Sequence, residues 1–400
     1  MTKLLIIADD FTGSLDTGVH FAARGVSTRV FSESSCDVSS AVGNVQVIVV
    51  NSDSRHMSPR DAYDTVHRLA AMAKEQGIPF LYKKTDSALR GNIGSELAAA
   101  MDAYGADRLV FVPAFPRMGR ITRNGVQYID GVPVAESVFG KDPFEPVCRS
   151  SVEEILRMTT DKTVQLRRAG EPAAEGEGIH LYDCEDDRDL ERIASALEEK
   201  TLSVSAGCAA FASALAERLE LGAEPESGGE LQIKGPLLVL CGSRNPVTLR
   251  QMETAEKAGF PHIRLTREQK TDWNAAKEEN LRQAGEWIRL AEEKKLCIVD
   301  VNDPSPMELG RERVAAQLGL AGKALLDKGT RFTLLCTGGD TLLGVMRSAG
   351  VTEITPVGEL FPGVVLTEML YKGNTYSVIS KSGGFGEPDL FCRMIGGARK

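Results

Sequence analysis

The stretch IADDFTGSLDTG, residues 7–18, follows the apolar run KLLI and marks where a first strand gives way to a first helix. It carries three acids, Asp9, Asp10 and Asp16, and two glycines, Gly13 and Gly18. Thr12 is a candidate N-cap and Gly13 eases a tight turn. Neither role requires two adjacent carboxylates. Asp9 and Asp10 repel each other unless a cation, a hydroxyl ligand or water lies near. The stretch therefore reads both as the opening of an α/β unit and as a candidate substrate site.

Working outward, β-rich runs alternate with longer amphipathic stretches. Strands are predicted at 4–8, 45–51, 79–84, 108–114, 178–183, 202–207, 237–242, 262–265, 296–301, 332–338 and 376–381. Several are almost wholly apolar, as strands covered on both faces are. Helices are predicted at about 59–76, 187–199, 208–220, 246–258, 273–294, 307–327 and 339–349, with another after a candidate Asn92 N-cap. This alternation predicts an α/β fold with largely parallel sheets flanked by helices. LGAEPESGGELQIKG (221–235) has no sustained apolar period and precedes a fresh buried-type strand, LLVLC. It separates an N-terminal domain (1–225) from a C-terminal domain (232–400). Residues 113–147 break the alternation. RNGV and IDGV there read as turns of a hairpin or meander, and Arg117, Arg120 and Arg123 offer either an anion-holding loop or a solvated basic one.

The 400 residues carry a formal net charge of -9, with no long basic run. A nucleic-acid partner needs a basic footprint and is not expected. No apolar run is long enough to span a bilayer, and MTKLLIIADD lacks the apolar core of a signal peptide. A cytoplasmic protein with no membrane partner is expected. The eight cysteines form no CxxC pair and the five histidines no spaced cluster, so no metal site is expected. Cys241 and Cys336 read as small buried residues. A homodimer is an open expectation, since closed two-fold symmetry is the commonest assembly.

In open α/β sheets ligands sit beyond the C-terminal ends of the strands. In the N-terminal half those ends read ADDFTGSLD, NSDSR (51–55) and KKTDSALRGN (83–92). They bring Asp9, Asp10, Asp16, Asp53 and Asp86 beside Arg55, Lys83, Lys84 and Arg90. Carboxylates accept from hydroxyls and Arg grips a carboxylate through two bonds, so the set suits a small hydroxylated anion. The same residue types also cap helices and make turns. In the C-terminal half the ends read CGSRNPVT (241–248), VNDPSP (301–306), CTGGDTLLG (336–344) and KSGGFGEPD (381–389). A strand, then Gly/Ser/Thr, then a helix aims backbone N–H groups at phosphate. No Walker A or GxGxxG pattern is present. A site for a hydroxylated anion and one for phosphate, meeting in an interdomain cleft, point to phosphoryl transfer from ATP.

These motifs, with VPAFPRMGR, GVPVAESVFGKDPFEP, GELFPGV and the stretches above in the same order, resemble the four-carbon acid sugar kinases over nearly the whole chain. The resemblance implies ATP-dependent phosphorylation of the terminal 4-hydroxyl of a tetronate such as D-threonate, D-erythronate, L-threonate or a 3-oxo relative. It implies that Asp9, Asp10, Arg55, Lys84, Thr85, Asp86, Ser87 and Arg90 line the sugar-acid site. Ser243, Thr337, Gly338, Gly339, Asp340, Gly383 and Gly384 would hold the nucleotide. The first motif differs from the family's DDLTGAND at Phe11, Ser14 and Leu15, and GSRNPVT differs from GSCSPVT at Arg244 and Asn245.

Mg²⁺ is expected to bridge ATP oxygens. Asp86, Asp9 or Asp10 is expected to orient the attacking hydroxyl and take its proton. The alternatives are a kinase of a 3-oxo-tetronate or branched sugar acid, or a non-catalytic regulatory protein that binds sugar acid and nucleotide. A haloacid-dehalogenase-type phosphatase needs DxD after the first strand, whereas these acids are adjacent.

Overall fold

The computed structural model describes residues 1–142, 145–171, 176–222, 231–302 and 310–396. The chain divides into two compact units, Met1–Glu226 and Ser227–Lys400.

The first unit is built on strands β1 (Leu4–Ala8), β2 (Thr28–Phe31), β3 (Val47–Asn51), β4 (Phe80–Lys84) and β5 (Arg108–Val112). After these come β6 (Arg120–Arg123), β7 (Val126–Ile129), β8 (Val132–Pro133), β9 (Val164–Arg167), β10 (Gly178–Tyr182) and β11 (Val204–Gly207). Its helices are α1 (Phe11–Ala22), α2 (Pro59–Glu75), α3 (Ile93–Tyr104), α4 (Val152–Arg157), α5 (Asp187–Ala196) and α6 (Ala209–Arg218). The main sheet is wholly parallel in the order β2-β3-β1-β4-β11-β5-β10-β9. Strands β1, β3 and β4 are buried throughout, which explains their unbroken apolar runs. Leu5, Ile7, Ile48, Val50 and Leu81 share one core with Val66 and Leu69 of α2 and Leu97 of α3.

Sequence alone overlooks β2 and β9. TRVF is short, and VQLR has only two apolar residues and lies at the sheet edge, so neither shows a buried-strand pattern. Residues 113–147 do hold a meander, the three-stranded antiparallel sheet β6-β7-β8. Both turns have two residues at positive φ, Asn124 (50°) with Gly125 (71°) and Asp130 (50°) with Gly131 (82°), as tight hairpins require.

The second unit contains β12 (Leu237–Cys241), β13 (His262–Arg264), β14 (Leu296–Asp300), β15 (Thr333–Thr337), β16 (Glu353–Phe361), β17 (Val364–Tyr371) and β18 (Asn374–Lys381). Its helices are α7 (Pro246–Lys257), α8 (Arg267–Thr271), α9 (Trp273–Lys294), α10 (Arg311–Leu326), α11 (Gly339–Ala349) and α12 (Leu390–Gly396). Strands β13-β14-β12-β15-β18 run parallel, and β17 and β16 continue the sheet antiparallel. The antiparallel pair escapes sequence reading because Pro356 and Gly358 interrupt β16, where the pairing register also shifts. Part of the helix expected at 307–327 lies outside the described residues.

Register places the chemistry. Ala8 of β1 pairs with Asn51 of β3 and Lys84 of β4, so Asp9, Ser52–Arg55 and Thr85–Asp86 leave the sheet at one level. In the second unit Cys241 pairs with Asp300 and Thr337, and Thr337 with Lys381, so four loops start from one line.

Candidate active site

At the first unit's strand ends, Arg55 is the hub. Its Nε donates to Asp9 Oδ2 at 2.7 Å, its Nη1 lies 2.8 Å from Asp10 Oδ2, and its Nη2 lies 3.8 Å from Asp86 Oδ1. Arg90 grips Asp86 through Nε to Oδ2 (2.8 Å) and Nη2 to Oδ1 (3.1 Å). Here the adjacent carboxylates of the opening stretch find their cation. Burial works to raise the Asp9 carboxyl, but Arg55, Lys84 and Lys83 outweigh it and hold it below the usual range. Asp86 is likewise held well below that range, with Arg55 and Arg90 prevailing over burial.

Asp10 rather than Thr12 is the N-cap of α1, its Oδ1 accepting from Gly13 N at 2.8 Å. A shorter loop results, and the cap carboxylate stays within reach of Arg55. A Cβ on Gly13 would lie 2.6 Å from Asp10 Oδ1 and 2.9 Å from Lys84 Nζ, so glycine is what lets the helix start press against the site. Lys84 is buried and its Nζ donates to Thr85 O at 2.7 Å. Ser87 lies at the rim, its carbonyl accepting from Gln127 Nε2 at 2.8 Å. Asn92 does not cap α3 with its side chain, because Nδ2 instead donates to Ser54 O (3.0 Å) and Met57 O (2.9 Å) and ties the Arg55 loop to α3.

Two atoms in this cluster matter most. Asp9 Oδ1 and Thr85 Oγ1 are buried and have no hydrogen-bond partner among the described residues. They belong to the loops after paired strands β1 and β4. An acceptor and a hydroxyl left open in such a place can each bond a polar ligand.

Beneath the cluster lies a pair that sequence reasoning only half found. Lys83 and Glu96 are fully buried with Nζ 3.1 Å from Oε2. Ser54 donates to the other Glu96 oxygen, and Ser52 and Ser54 hydroxyls sit 2.7 Å apart. Burial raises the Glu96 carboxyl above its ordinary value. Glu96 carries no strand-end signal. Its clue was an acid in the first turn of a helix that is otherwise buried along IGSELAAAM.

The three arginines of the meander divide. Arg117 pairs with Asp187 (2.7 Å) and Arg123 with Glu185 (2.7 Å), both at the surface, so they are not the anion-holding loop one reading expected. Arg120 lies over the Phe139 ring at 5.9 Å, and Arg90 faces the same ring at 5.1 Å.

In the second unit the described parts of the predicted loops do converge, while residues 303–306 of VNDPSP lie outside the described residues. Asn245 caps α7 by accepting from Val247 N (2.9 Å), with Pro246 in its first turn. A Cβ on Gly383 would lie 2.9 Å from Ser243 Oγ, and one on Gly384 would lie 3.5 Å from Asn245 Nδ2. Asn302 Nδ2 donates to Ser243 O at 3.1 Å and to Asp300 Oδ1 at 2.8 Å. Gly338, at φ 92°, precedes α11, whose start has no side-chain cap, and a Cβ there would meet nothing within 4 Å. Gly339 and Asp340 form the first turn of α11. First-turn N–H groups, which have no intrahelical acceptor, suit phosphate. Thr337 differs from expectation. It is buried, and its hydroxyl is directed to Leu240 O at 3.4 Å, so it shapes the loop rather than opening toward a ligand.

All eight cysteines are free, and Cys241 and Cys336 are buried. His262 is shared between Glu256 and Asp300, each at 3.2 Å. No group of three His, Cys, Asp or Glu residues among the described residues forms a metal cage, and no described helix is long and apolar enough to cross a membrane.

One unit with an acid–arginine–lysine cluster at its parallel strand ends and another with glycine-rich loops at helix starts define a two-domain binder of small polar ligands. Family models agree with the division. A sugar-binding N-terminal domain matches residues 4–215 and a nucleotide-binding C-terminal domain matches residues 238–391. The chain is 31% identical to a D-threonate kinase of Salmonella typhimurium, covering 98% of this chain and 97% of the relative. It is 27% identical to a D-erythronate kinase of Heliobacterium modesticaldum, covering 99% and 97%. A solved Salmonella typhimurium LT2 structure shares the fold with a TM-score of 0.84 at 21% identity, covering 98% of each chain. The chain belongs to the four-carbon acid sugar kinase family.

Proposed function

We propose that this protein is an ATP-dependent kinase that phosphorylates the terminal 4-hydroxyl of a tetronate, D-threonate or D-erythronate being the first candidates. The observation that carries the reading is Asp9 Oδ1, a buried acceptor without a partner beside the Arg55 hub. A hydroxyl of the sugar acid donates to it. Arg55 keeps Asp9 ionised, and an ionised acceptor both orients a hydroxyl and receives its proton late in transfer. Asp86 is bound at both oxygens by Arg90, so its first task is to fix that guanidinium. Arg90 and Lys84 attract the substrate carboxylate, and Thr85 Oγ1 adds a hydroxyl contact.

The nucleotide is held by the second unit, with phosphate oxygens facing the N–H groups of Gly339 and Asp340 and the loop through Ser243, Gly383 and Gly384. Transfer then requires its terminal phosphate to reach the acceptor hydroxyl held by the first unit. Mg²⁺ neutralises phosphate charge in such reactions and is held mainly by phosphate oxygens and water with one or two carboxylates. The donor set fits that minimal role, since Asp340 stands in the first turn of α11 and no cage of three ligands is needed.

The test is ATP consumption by purified protein with Mg²⁺ against D-threonate, D-erythronate, L-threonate and their 3-oxo relatives. Turnover of one or two members is expected. ATP binding with no turnover on any sugar acid, longer and branched ones included, would instead favour a regulatory binding protein.

A further inference from the structure

Lys381 ends β18, is completely buried, and none of the described carboxylates forms an ion pair with it. Its Nζ donates to Thr248 Oγ1 (3.0 Å), Ser382 O (3.1 Å) and Gly383 O (3.4 Å). Thr248 in turn donates to Gly383 O at 2.7 Å, and Gly338 N donates to the carbonyl of Lys381 at 2.7 Å. One residue thus ties together the start of α7, the glycine-rich loop after β18 and the turn into α11. A methionine would fill the same space without burying an amine, so packing alone does not call for lysine here.

We propose that Lys381 is a positioning residue for nucleotide binding: its ammonium holds the Ser382–Gly384 loop against α7 and supplies the buried positive charge that the phosphates complement. This rests on the nucleotide site proposed above for the second unit. Burial lowers the Lys381 amine to about 8, and the titratable group acting on it, Cys241 of β12, is itself pushed up to about 12 by burial and stays neutral. The charge on which the loop depends is therefore lost in mildly alkaline solution, while Ser382, Gly383 and Thr248 present only neutral groups.

The experiment measures ATP affinity by calorimetry without sugar acid, across pH, for wild type, Lys381→Met and Thr248→Val in the full chain, with thermal melts alongside. Wild-type affinity is expected to fall about tenfold per pH unit once above the amine's value, as for any site that needs one bound proton. Lys381→Met should bind ATP about tenfold or more weakly near neutral pH, show a flat pH profile, and keep the melting temperature and the sugar-acid KM. Thr248→Val removes the hydroxyl bridge and should weaken ATP a few-fold, which keeps the idea testable if Lys381→Met does not fold. A folded Lys381→Met protein with wild-type affinity, or wild-type affinity in Thr248→Val where Lys381→Met does not fold, overturns the inference and leaves the kinase reading intact. Absence of ATP binding in wild type overturns both.

Discussion

Arg55 reaches from the loop after β3 to place its Nε 2.7 Å from Oδ2 of Asp9, the first residue beyond β1. The pair is almost out of water, with side-chain exposures of 9% and 1%. Removing one partner of such a pair leaves the other buried and uncompensated, a loss of about 3–5 kcal/mol. Arg55→Met should therefore lower stability by that order and abolish turnover. Arg55→Lys should recover part of the stability but little activity, because one ammonium cannot serve Asp9, Asp10 and Asp86 from a fork. Denaturant unfolding alongside kinase assays of both variants checks this. Full activity in Arg55→Lys would show that charge alone suffices.

The three acids should separate by substitution. Asp9 has an open oxygen, Asp10 is committed to Gly13 N and Arg55, and Asp86 to Arg90. If Asp9 receives the hydroxyl proton, Asp9→Asn lowers kcat by about 10²–10⁴. Asp10→Asn keeps an oxygen for the cap and should cost less. Asp86→Asn loosens Arg90 and should appear mainly as a higher KM for the sugar acid. Steady-state kinetics on the best substrate reads all three, and a larger kcat loss in Asp10→Asn than in Asp9→Asn would move the hydroxyl contact to Asp10.

Much of this site was legible because parallel strands in register deliver their next residues to one edge. Asp9, Arg55 and Asp86 could be grouped from strand ends alone. What the ends did not reveal was commitment. Asp10 as cap, Asn92 as a tie to the Arg55 loop, and Thr337 turned toward Leu240 are all decided by tertiary geometry. Glu96 left only the faint clue of an acid in an apolar first turn, because its function is to meet Lys83 across two elements. The four-residue β2, the edge strand β9 and the Pro- and Gly-broken β16 lacked the apolar run that betrayed the central strands.

Acid should loosen the first unit through Asp86 and Asp9. Both carboxyls are held below their ordinary value of 3.8, so the folded state binds their protons more weakly than the unfolded chain does. Their contribution is full above that value and is lost as pH falls below it toward the folded-state values. Unfolding free energy should thus drop with acid below about pH 4, by up to ~1.4 kcal/mol per pH unit per carboxyl. Asp86→Asn lacks one of these groups and should show a shallower slope. Urea titrations of both proteins at stepped pH test it, and identical slopes would remove Asp86 from the account.

The buried pair Lys83–Glu96 gives the sharpest test of what supports the site. Neither group touches solvent, and the only described ion pair for each is the other. Glu96→Leu strands the Lys83 ammonium and Lys83→Met strands the carboxylate, so each alone should cost about 3–5 kcal/mol. The double variant removes both charges together, and replacing a buried pair by apolar groups is often near neutral, so it should regain most of that loss. Activity should not return with stability. Ser54 would lose its carboxylate acceptor, and the loop that carries Arg55 would keep only the Asn92 amide of its two ties to the α3 end. Denaturant unfolding of the two single variants and the double gives the coupling energy, and the kinase assay gives the separate effect on the loop. A double variant as unstable as the sum of the singles would mean that the pair is not coupled, and one with full activity would mean that Arg55 does not depend on it.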